Sequence, residues 1–585
     1  MCGINGFYKY TEINCQDIAM IDAMNKEMHY RGPDDSGIWN DNKVALGMVR
    51  LSIIGLAKGK QPISNEDKSL VLVCNGEIYN YREIKSNLEQ KGHIFSTDTD
   101  VEVIIHLFEE KGIDCLNDLR GMFAFALWDK KSDKVFIARD RVGKKPLYYS
   151  HDNRGIIFSS ELKAIKKYFL TGYSYDYSVL RHILRYSYPI ELTNTHIDEI
   201  KRIQPGEYAE ISNKGIKKKR YWKKTNTYEF NGSFEDAKKQ TLNILRESVR
   251  LRLVSDVPVA VLLSGGIDSS AIAALAKESF DDVHAITVGY KGEHNCDERN
   301  IAKRFAAEKG LIWHEMELDV NDFKKYFEEY VSYLDEPVCD VAAIMQWGMY
   351  KKAREEGFTV LLSGNGGDEL FYGYPSHNIT GNNLQILENL RNSFVNRDTK
   401  KLKKCVQFML KNHTKIINFI KSYKYSYLDS IFIEQYKNFE YVWPDKHEII
   451  RQADINNYFE EEKYGIDKIY SFLFNVWLQA NCLFLSDKLG MGNSVELRAP
   501  FADSELIEFV SSLPMEYKYN LNNPKWLLKE VLKEIVPDYI LYGAKKGFTP
   551  PYEIIVNLVN NYNSKFFGVK LNSYNQVLMD KFLSL

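Results

Sequence analysis

The chain has 585 residues, more than one hydrophobic core can organise, so two or three domains are expected. Hydrophobic residues make up 44% and charged residues 27%, an ordinary globular balance, and each domain can bury a sizeable core. The formal net charge of -2 excludes a global pull toward nucleic acid or an anionic membrane.

No apolar run approaches the roughly 20 residues that span a bilayer. The start, Met-Cys-Gly-Ile-Asn-Gly, lacks the basic and apolar regions of a secretory leader. Eight cysteines are scattered without CxxC pairs, which gives neither a disulfide framework nor a cysteine zinc site. The expected location is a reducing cytoplasm.

Residues 1 to about 210 read as short strands with two helices, Asp17–Met28 and Asp100–Lys111. This predicts a layered α+β domain. Gln204-Pro-Gly-Glu reads as a last hairpin, and the polar tract that follows, residues 211–225, as a linker. From 226 to 585 the texture changes. A helical pattern, Asp236–Leu253, precedes the apolar strand Val257–Leu263, which runs into Ser264-Gly-Gly-Ile-Asp-Ser-Ser and a helix, Ala271–Ser279. Strand Val283–Val288, helix Glu298–Lys309 and strand Thr359–Leu362 continue the alternation of an α/β parallel sheet. Residues 376–480 read as additional helices around that sheet.

Cys2 is the first candidate nucleophile. Removal of Met1 would leave a free α-amine on the residue that carries the thiol. Such an amine titrates near ~7.7–8.0 and can act as its own base. Gly3 beside it is small enough to leave room for a substrate carbonyl. In the second half, a buried strand running into SGGxDSS and then a helix is a phosphate cradle. It lacks the Gly-Lys-Ser/Thr ending of a Walker A loop.

Further motifs occur in order: Arg31-Gly-Pro-Asp34, Arg50-Leu-Ser-Ile53, Asn75-Gly-Glu-Ile-Tyr-Asn80, Thr97-Asp-Thr-Asp100, Gly121-Met-Phe-Ala-Phe125 and Arg139-Asp-Arg-Val-Gly-Lys-Lys-Pro-Leu-Tyr148. With Cys2 they resemble the class II glutaminase domain, an N-terminal-nucleophile fold, in the version found in the asparagine synthetase B family. The SGGxDSS loop resembles the pyrophosphate loop of enzymes that split ATP between the α and β phosphates. The resemblance implies that Cys2, Asn75 and Gly76 are catalytic, with the Asn75 side chain and Gly76 N–H as oxyanion donors. It implies that Arg50, Ile53, Asn75, Gly76, Glu77 and Asp100 bind glutamine. It assigns ATP to Leu263, Ser264, Gly265, Gly266, Asp268, Ser269, Ser270, Val288, Ser363, Gly364, Lys525 and Lys545, and Mg²⁺ to Asp268 and Asp368. Arg31 and Asp34 either tie down the turn at Pro33 or meet substrate.

The segments around Asp335-Glu-Pro337, Leu485–Lys488 and Val495–Asp503 are expected to shape the synthetase site. The implied reaction hydrolyses glutamine at Cys2 and passes ammonia to an acyl-adenylate made from a carboxylate and ATP. Two positions depart from the family: Gly543 stands where an arginine often precedes the lysine by two, and, more consequentially, Asn365 stands where a glutamate is usual, and an amide cannot serve as a base. The acceptor is therefore open between aspartate and another carboxylate, such as a uronic acid of a surface polysaccharide. A ring-closing enzyme without ammonia would not need the glutaminase residues, and a phosphoribosyl amidotransferase would not carry SGGxDSS. A non-catalytic, decayed synthetase rests on Asn365 alone. Partners are expected to be small molecules, with a homodimer left open as the assembly.

Overall fold

The computed structural model describes residues 2–169, 172–395, 462, 464–544, 549–567, 571 and 573–585. Twelve of its strands belong to the first domain. They are β1 (Cys2–Lys9), β2 (Asp35–Asn40), β3 (Val44–Arg50), β4 (Ile63–Ser64), β5 (Leu70–Ile78), β6 (Gly121–Asp129), β7 (Lys134–Arg139), β8 (Tyr148–Asp152), β9 (Gly155–Ser159), β10 (Lys201–Arg202), β11 (Glu207–Ser212) and β12 (Gly215–Arg220). They form two six-stranded sheets, ordered β10-β8-β9-β1-β3-β2 and β12-β11-β7-β6-β5-β4.

Strand alternation decides how these sheets stack. Val71 and Val73 of β5 pack with Ile4, Leu46 and Met48 of the other sheet, while Leu70, Leu72 and Cys74 face the helix Val103–Lys111. The outer face of the first sheet puts Phe7, Ala45 and Val49 against Ile21 and Met24 of the helix Cys15–Glu27. The result is a four-layer α/β/β/α domain with Cys2 opening the strand at its centre.

The polar tract read as linker is instead β12, paired antiparallel with β11 from Glu207↔Arg220 to Ser212↔Gly215. Its exposed lysines are those of a sheet edge, where charge discourages pairing with another chain. That composition resembles a linker from sequence alone.

The second domain begins with the helix Phe234–Arg252, capped by Ser233 and Asp236. Strands β13 (Val259–Leu262), β14 (His284–Tyr290), β15 (Ile312–Leu318), β16 (Val360–Leu362) and β17 (Glu496–Arg498) form a parallel sheet ordered β15-β14-β13-β16-β17. Chain order reverses between β13 and β16, and ligands of such sheets bind at the carboxyl ends of the strands there. Helices Pro375–Val395 and Gly465–Phe472 pack on one another beside it. Most of the stretch between them, 396–461, lies outside the described residues. The apolar helix Gly465–Gly492 is long enough to cross a membrane, but 78% of its most apolar window is buried within the protein. Inside it, Leu473–Leu483 is wound as a π-helix, a geometry frequent at functional sites.

Candidate active site

Two sites lie back to back across the domain boundary. In the first, Cys2 is 5% exposed at the start of β1. Its N–H donates to Asn75 Oδ1 at 3.1 Å, which fixes the side-chain amide. Asn75 Nδ2 is then left buried with no partner among the described residues. A buried amide donor without an acceptor is costly unless a ligand supplies one. An oxyanion at the Cys2 adduct would be that acceptor. Burial pushes the Cys2 thiol up, while the terminal amine and Arg50 pull it back. Glycine at position 76 is required because a Cβ there would stand 2.2 Å from Met122 O. The expectation for Gly3 fails: its Cβ would point at Val49 and the Met28 sulfur, on the opposite face of β1 from Cys2.

Arg50 is buried, and its Nη2 donates to the carbonyls of Ile54 and Gly55 at 3.0 and 2.9 Å. Asp100 accepts from Ile78 N at 2.5 Å and from the Thr99 hydroxyl at 3.2 Å. Burial raises both Glu77 and Asp100, and their mutual repulsion raises Glu77 further. Two buried carboxylates of this kind would be relieved by an ammonium group, such as glutamine's own. The carbonyl of Ile53 accepts from Asp256 N of the second domain at 2.9 Å.

The second site is a cavity of about 1330 Å³ at the carboxyl ends of β13, β14 and β16. Leu263, Ser264, Gly265, Gly266, Asp268, Ser269, Val288, Ser363, Gly364, Asp368 and Lys525 all line it. Ser269 Oγ accepts from Ser264 N at 3.1 Å, and Gly265 takes φ +81°, so the loop curls over its own helix start. Ser270 does not reach the cavity; it is fully buried on the inner side of the helix Ile267–Ser279. Lys545 lies outside the described residues.

Lys525 pairs with Asp268 and, at 3.0 Å, with Asp368. Burial opposes its charge, but the two carboxylates outweigh burial and raise it. Its backbone is held at φ +59°, a strained conformation for a lysine that the surrounding contacts impose. Asp268 and Asp368 thus converge on one cation beside a phosphate loop. This all-oxygen pair suits Mg²⁺, which binds through one or two carboxylates plus substrate phosphates.

Two direct links join the sites. Arg498 O accepts from Ser363 N at 2.8 Å in the second site, and Arg498 Nη2 stands 3.6 Å from Glu77 in the first. Arg31 Nε donates to Cys2 O at 3.1 Å, while its other nitrogens bind Asp487 at 2.8 and 3.1 Å and Glu161 at 2.5 Å. The next residue back, Ser486, accepts from Asn365 Nδ2 at 2.7 Å. A small cavity of about 10 Å³, lined by Lys144, Lys145, Asn365, Ser486 and Asp487, sits between the domains. Asn365 and Ser363 line both cavities.

The halves match two families, the "Glutamine amidotransferase domain" over residues 1–222 and "Asparagine synthase" over residues 240–561. The chain belongs to the asparagine synthetase family. It is 30% identical to asparagine synthetase [glutamine-hydrolyzing] 3 of Bacillus subtilis over 569 residues, covering 94% of this chain and 87% of that one. Asparagine synthetase [glutamine-hydrolyzing] 1 of the same organism is 32% identical over 564 residues, with the same coverage of both chains. The amidase chyE of Penicillium rubens is 28% identical over 626 residues, covering 94% of this chain and 89% of that one. As a family member, the chain is a glutamine-hydrolysing, C–N bond-forming ligase.

Several motif residues of this asparagine synthetase relative serve the domain boundary rather than the synthetase cavity. Lys488 bridges Glu161 and Asp335 at 2.8 and 2.7 Å. Glu336 holds Arg202, and Asp503 takes Arg120 at 3.0 and 2.9 Å. Asp34 accepts from Ser52 N at 2.7 Å, so Arg31 and Asp34 are structural rather than substrate contacts. Sequence reasoning also missed the aromatic wall of the cavity. Tyr188 and Trp477 meet edge to face at 5.0 Å, and Tyr350 and Tyr374 lie beside them. Tyr374 OH donates to Glu369 at 2.6 Å, and burial next to Asp368 pushes Glu369 up to about 7.

Proposed function

We propose that the chain hydrolyses glutamine at Cys2 and delivers the ammonia to a carboxylate activated by ATP, with aspartate as the leading acceptor and asparagine as the product. The observation that carries this reading is the pair of cavities meeting at Asn365 and Ser363. The large cavity carries the phosphate loop, and the small one borders Asp487, whose partner Arg31 donates to the Cys2 carbonyl; this chain of contacts supports a connection between the two chemistries.

The Cys2 thiol gives its proton to its own α-amine as the sulfur attacks the glutamine side-chain carbonyl, and the protonated amine then passes that proton to the leaving nitrogen. The Asn75 Nδ2 and Gly76 N–H groups hold the oxyanion, ammonia leaves, and water cleaves the thioester to glutamate. Arg50 fits the substrate carboxylate and Asp100 its ammonium. In the second cavity, the acceptor carboxylate attacks the α-phosphate of ATP and pyrophosphate leaves over the phosphate loop. Lys525 offsets the charge that develops on it. Mg²⁺, held by Asp268 and Asp368, would neutralise phosphate charge when bound. Ammonia attacks the acyl-adenylate carbonyl and AMP departs.

A base is needed for the ammonia proton, and Asn365 cannot supply it. Tyr374 faces the cavity and hydrogen-bonds Glu369, so Glu369 takes the proton through that hydroxyl. A carboxylate titrating near 7 suits a base at neutral pH.

A second reading keeps the chemistry and changes the acceptor to a larger carboxylate. The cavity, of about 1330 Å³, would hold ATP and the acceptor together. Its aromatic wall and Asn365 favour that alternative. ATP–pyrophosphate exchange measured with aspartate, other amino acids and sugar acids separates the two. Aspartate-dependent exchange supports the asparagine assignment. Exchange with a sugar acid and none with aspartate overturns it.

A further inference from the structure

Away from both cavities, the outer layer of the glutaminase domain gathers two histidines and two glutamates from three separate stretches. Glu66 lies in the turn between β4 and β5, and His93 follows the helix Tyr81–Gln90. His106 and Glu109 sit three residues apart on the helix Val103–Lys111, hence on one face of it. One ligand atom from each lies within 4.8 Å of the others. Glu109 Oε2 is 2.9 Å from His106 Nδ1 and 3.5 Å from His93 Nδ1. The Glu66 carboxylate oxygens are 3.7 Å from His106 Nδ1 and 4.0 Å from His93 Nδ1. Around tetrahedral Zn²⁺, with bonds of about 2.0–2.2 Å, neighbouring ligand atoms stand about 3.3–3.6 Å apart. The separations of 2.9–4.0 Å bracket that edge length, so an ion would enter by drawing the Glu66 carboxylate inward.

The surroundings point the same way. Both histidines turn Nδ1 inward and back Nε2 onto a carboxylate: His93 on Glu110 at 3.2 Å and His106 on Glu102 at 3.8 Å. His106 is wholly buried, and its Nε2 has no hydrogen-bond partner among the described residues. Carboxylates behind the outer nitrogens orient metal-ligating histidines and set their tautomer. The glutamates are supported in turn. Glu66 Oε1 accepts from Ile94 N at 3.0 Å, and Glu109 Oε1 accepts from Asn65 Nδ2 at 2.9 Å.

We propose that Glu66, His93, His106 and Glu109 form a binding site for a divalent transition metal, with Zn²⁺ the best fit. An ion there staples the β4–β5 turn, the segment after residue 91 and the helix Val103–Lys111. The stapled segment continues through Ser96 and Thr97, whose backbone and hydroxyl groups all donate to Glu102, and ends at Asp100 of the glutamine pocket. The site is therefore structural support for glutamine binding and takes no part in the synthetase cavity.

The competing occupant is a proton on each histidine, which makes the cluster an ion-pair network. Metal analysis of the full chain after Zn²⁺ loading and dialysis decides between them, alongside Co²⁺ substitution followed by visible spectroscopy. The expected result is one tightly held Zn²⁺ per chain and a tetrahedral Co²⁺ spectrum. Both should be lost in His93→Ala and in Glu66→Gln, exposed or half-buried positions that do not threaten folding. Glu110→Gln, which removes the charge behind His93 together with an exposed ion pair to Lys91, should weaken Zn²⁺ by about 10–100-fold. Ammonia-dependent synthesis should not change in any of these variants. No retained Zn²⁺ in the wild type, or equal retention in the variants, overturns the proposal.

Discussion

Asp487 of the second domain binds Arg31 of the first at 2.8 and 3.1 Å, and Asp487→Asn removes its charge while keeping its shape. The buried cluster contains Arg31, Lys145 and Lys488 against Glu161, Asp335 and Asp487, three charges of each sign. Burial disfavours the Arg31 guanidinium, but Asp487 and Glu161 outweigh burial and keep it charged. Neutralising Asp487 leaves one buried positive charge without its partner. Breaking a buried pair in this way costs roughly 3–5 kcal/mol. Arg31 also holds the Cys2 carbonyl, a charged hydrogen bond whose loss is worth about 1.5–3 kcal/mol. Glutaminase kcat/KM should therefore fall by about 10–100-fold. Because Ser486 anchors Asn365, ammonia transfer should also become leaky. The assay is the molar ratio of glutamate formed to pyrophosphate released, together with a thermal melt. The wild type should stay near one glutamate per pyrophosphate; the variant should melt several degrees lower and produce excess glutamate. Ammonia-dependent synthesis should persist within a few fold. An unchanged melt together with an unchanged ratio would show that Asp487 neither holds the boundary nor couples the two sites.

Other outcomes follow from single contacts. Asn75→Ala should lower glutaminase kcat by about 10²–10³-fold, as loss of one oxyanion donor does elsewhere, without changing ammonia-dependent synthesis. Lys525→Met should abolish pyrophosphate exchange while glutaminase continues, since Lys525 touches only the second cavity. Glu369 must be ionised to accept a proton, so at fixed free ammonia the synthetase rate should fall as pH drops through about 7. In Glu369→Gln that acid limb should disappear, with a rate about 10²–10⁴-fold lower. Retention of the limb would move the base elsewhere.

Much of this architecture could be read from residue order. The buried strand before Ser264 had to end at a helix, and the phosphate loop sits there. Cys2, Asn75 and Asp100 converge although they are far apart in sequence, because β1 and β5 face each other across the sandwich. What the sequence concealed were relations between domains. Arg31 looks like a turn residue until Asp487, 456 positions later, is placed beside it. Lys488, Asp335 and Asp503 carry family motifs, yet their charges are spent on the boundary, which no local pattern reveals. β12 resembles a linker in sequence because a lysine-rich sheet edge and a solvated tether have the same composition. The Glu66–His93–His106–Glu109 cluster escaped because its ligands have no fixed spacing and meet only through the fold.

On the proposed function, one chain makes ammonia at Cys2 and consumes it at a separate ATP-dependent site. Product formation by Cys2→Ala, measured in parallel with glutamine and with ammonium salt under the acceptor identified by exchange, tests this most directly. Glutamine-supported synthesis should fall to background while ammonia-supported synthesis stays at the wild-type level. Loss of both activities in a folded variant, or survival of glutamine-supported synthesis, would contradict it.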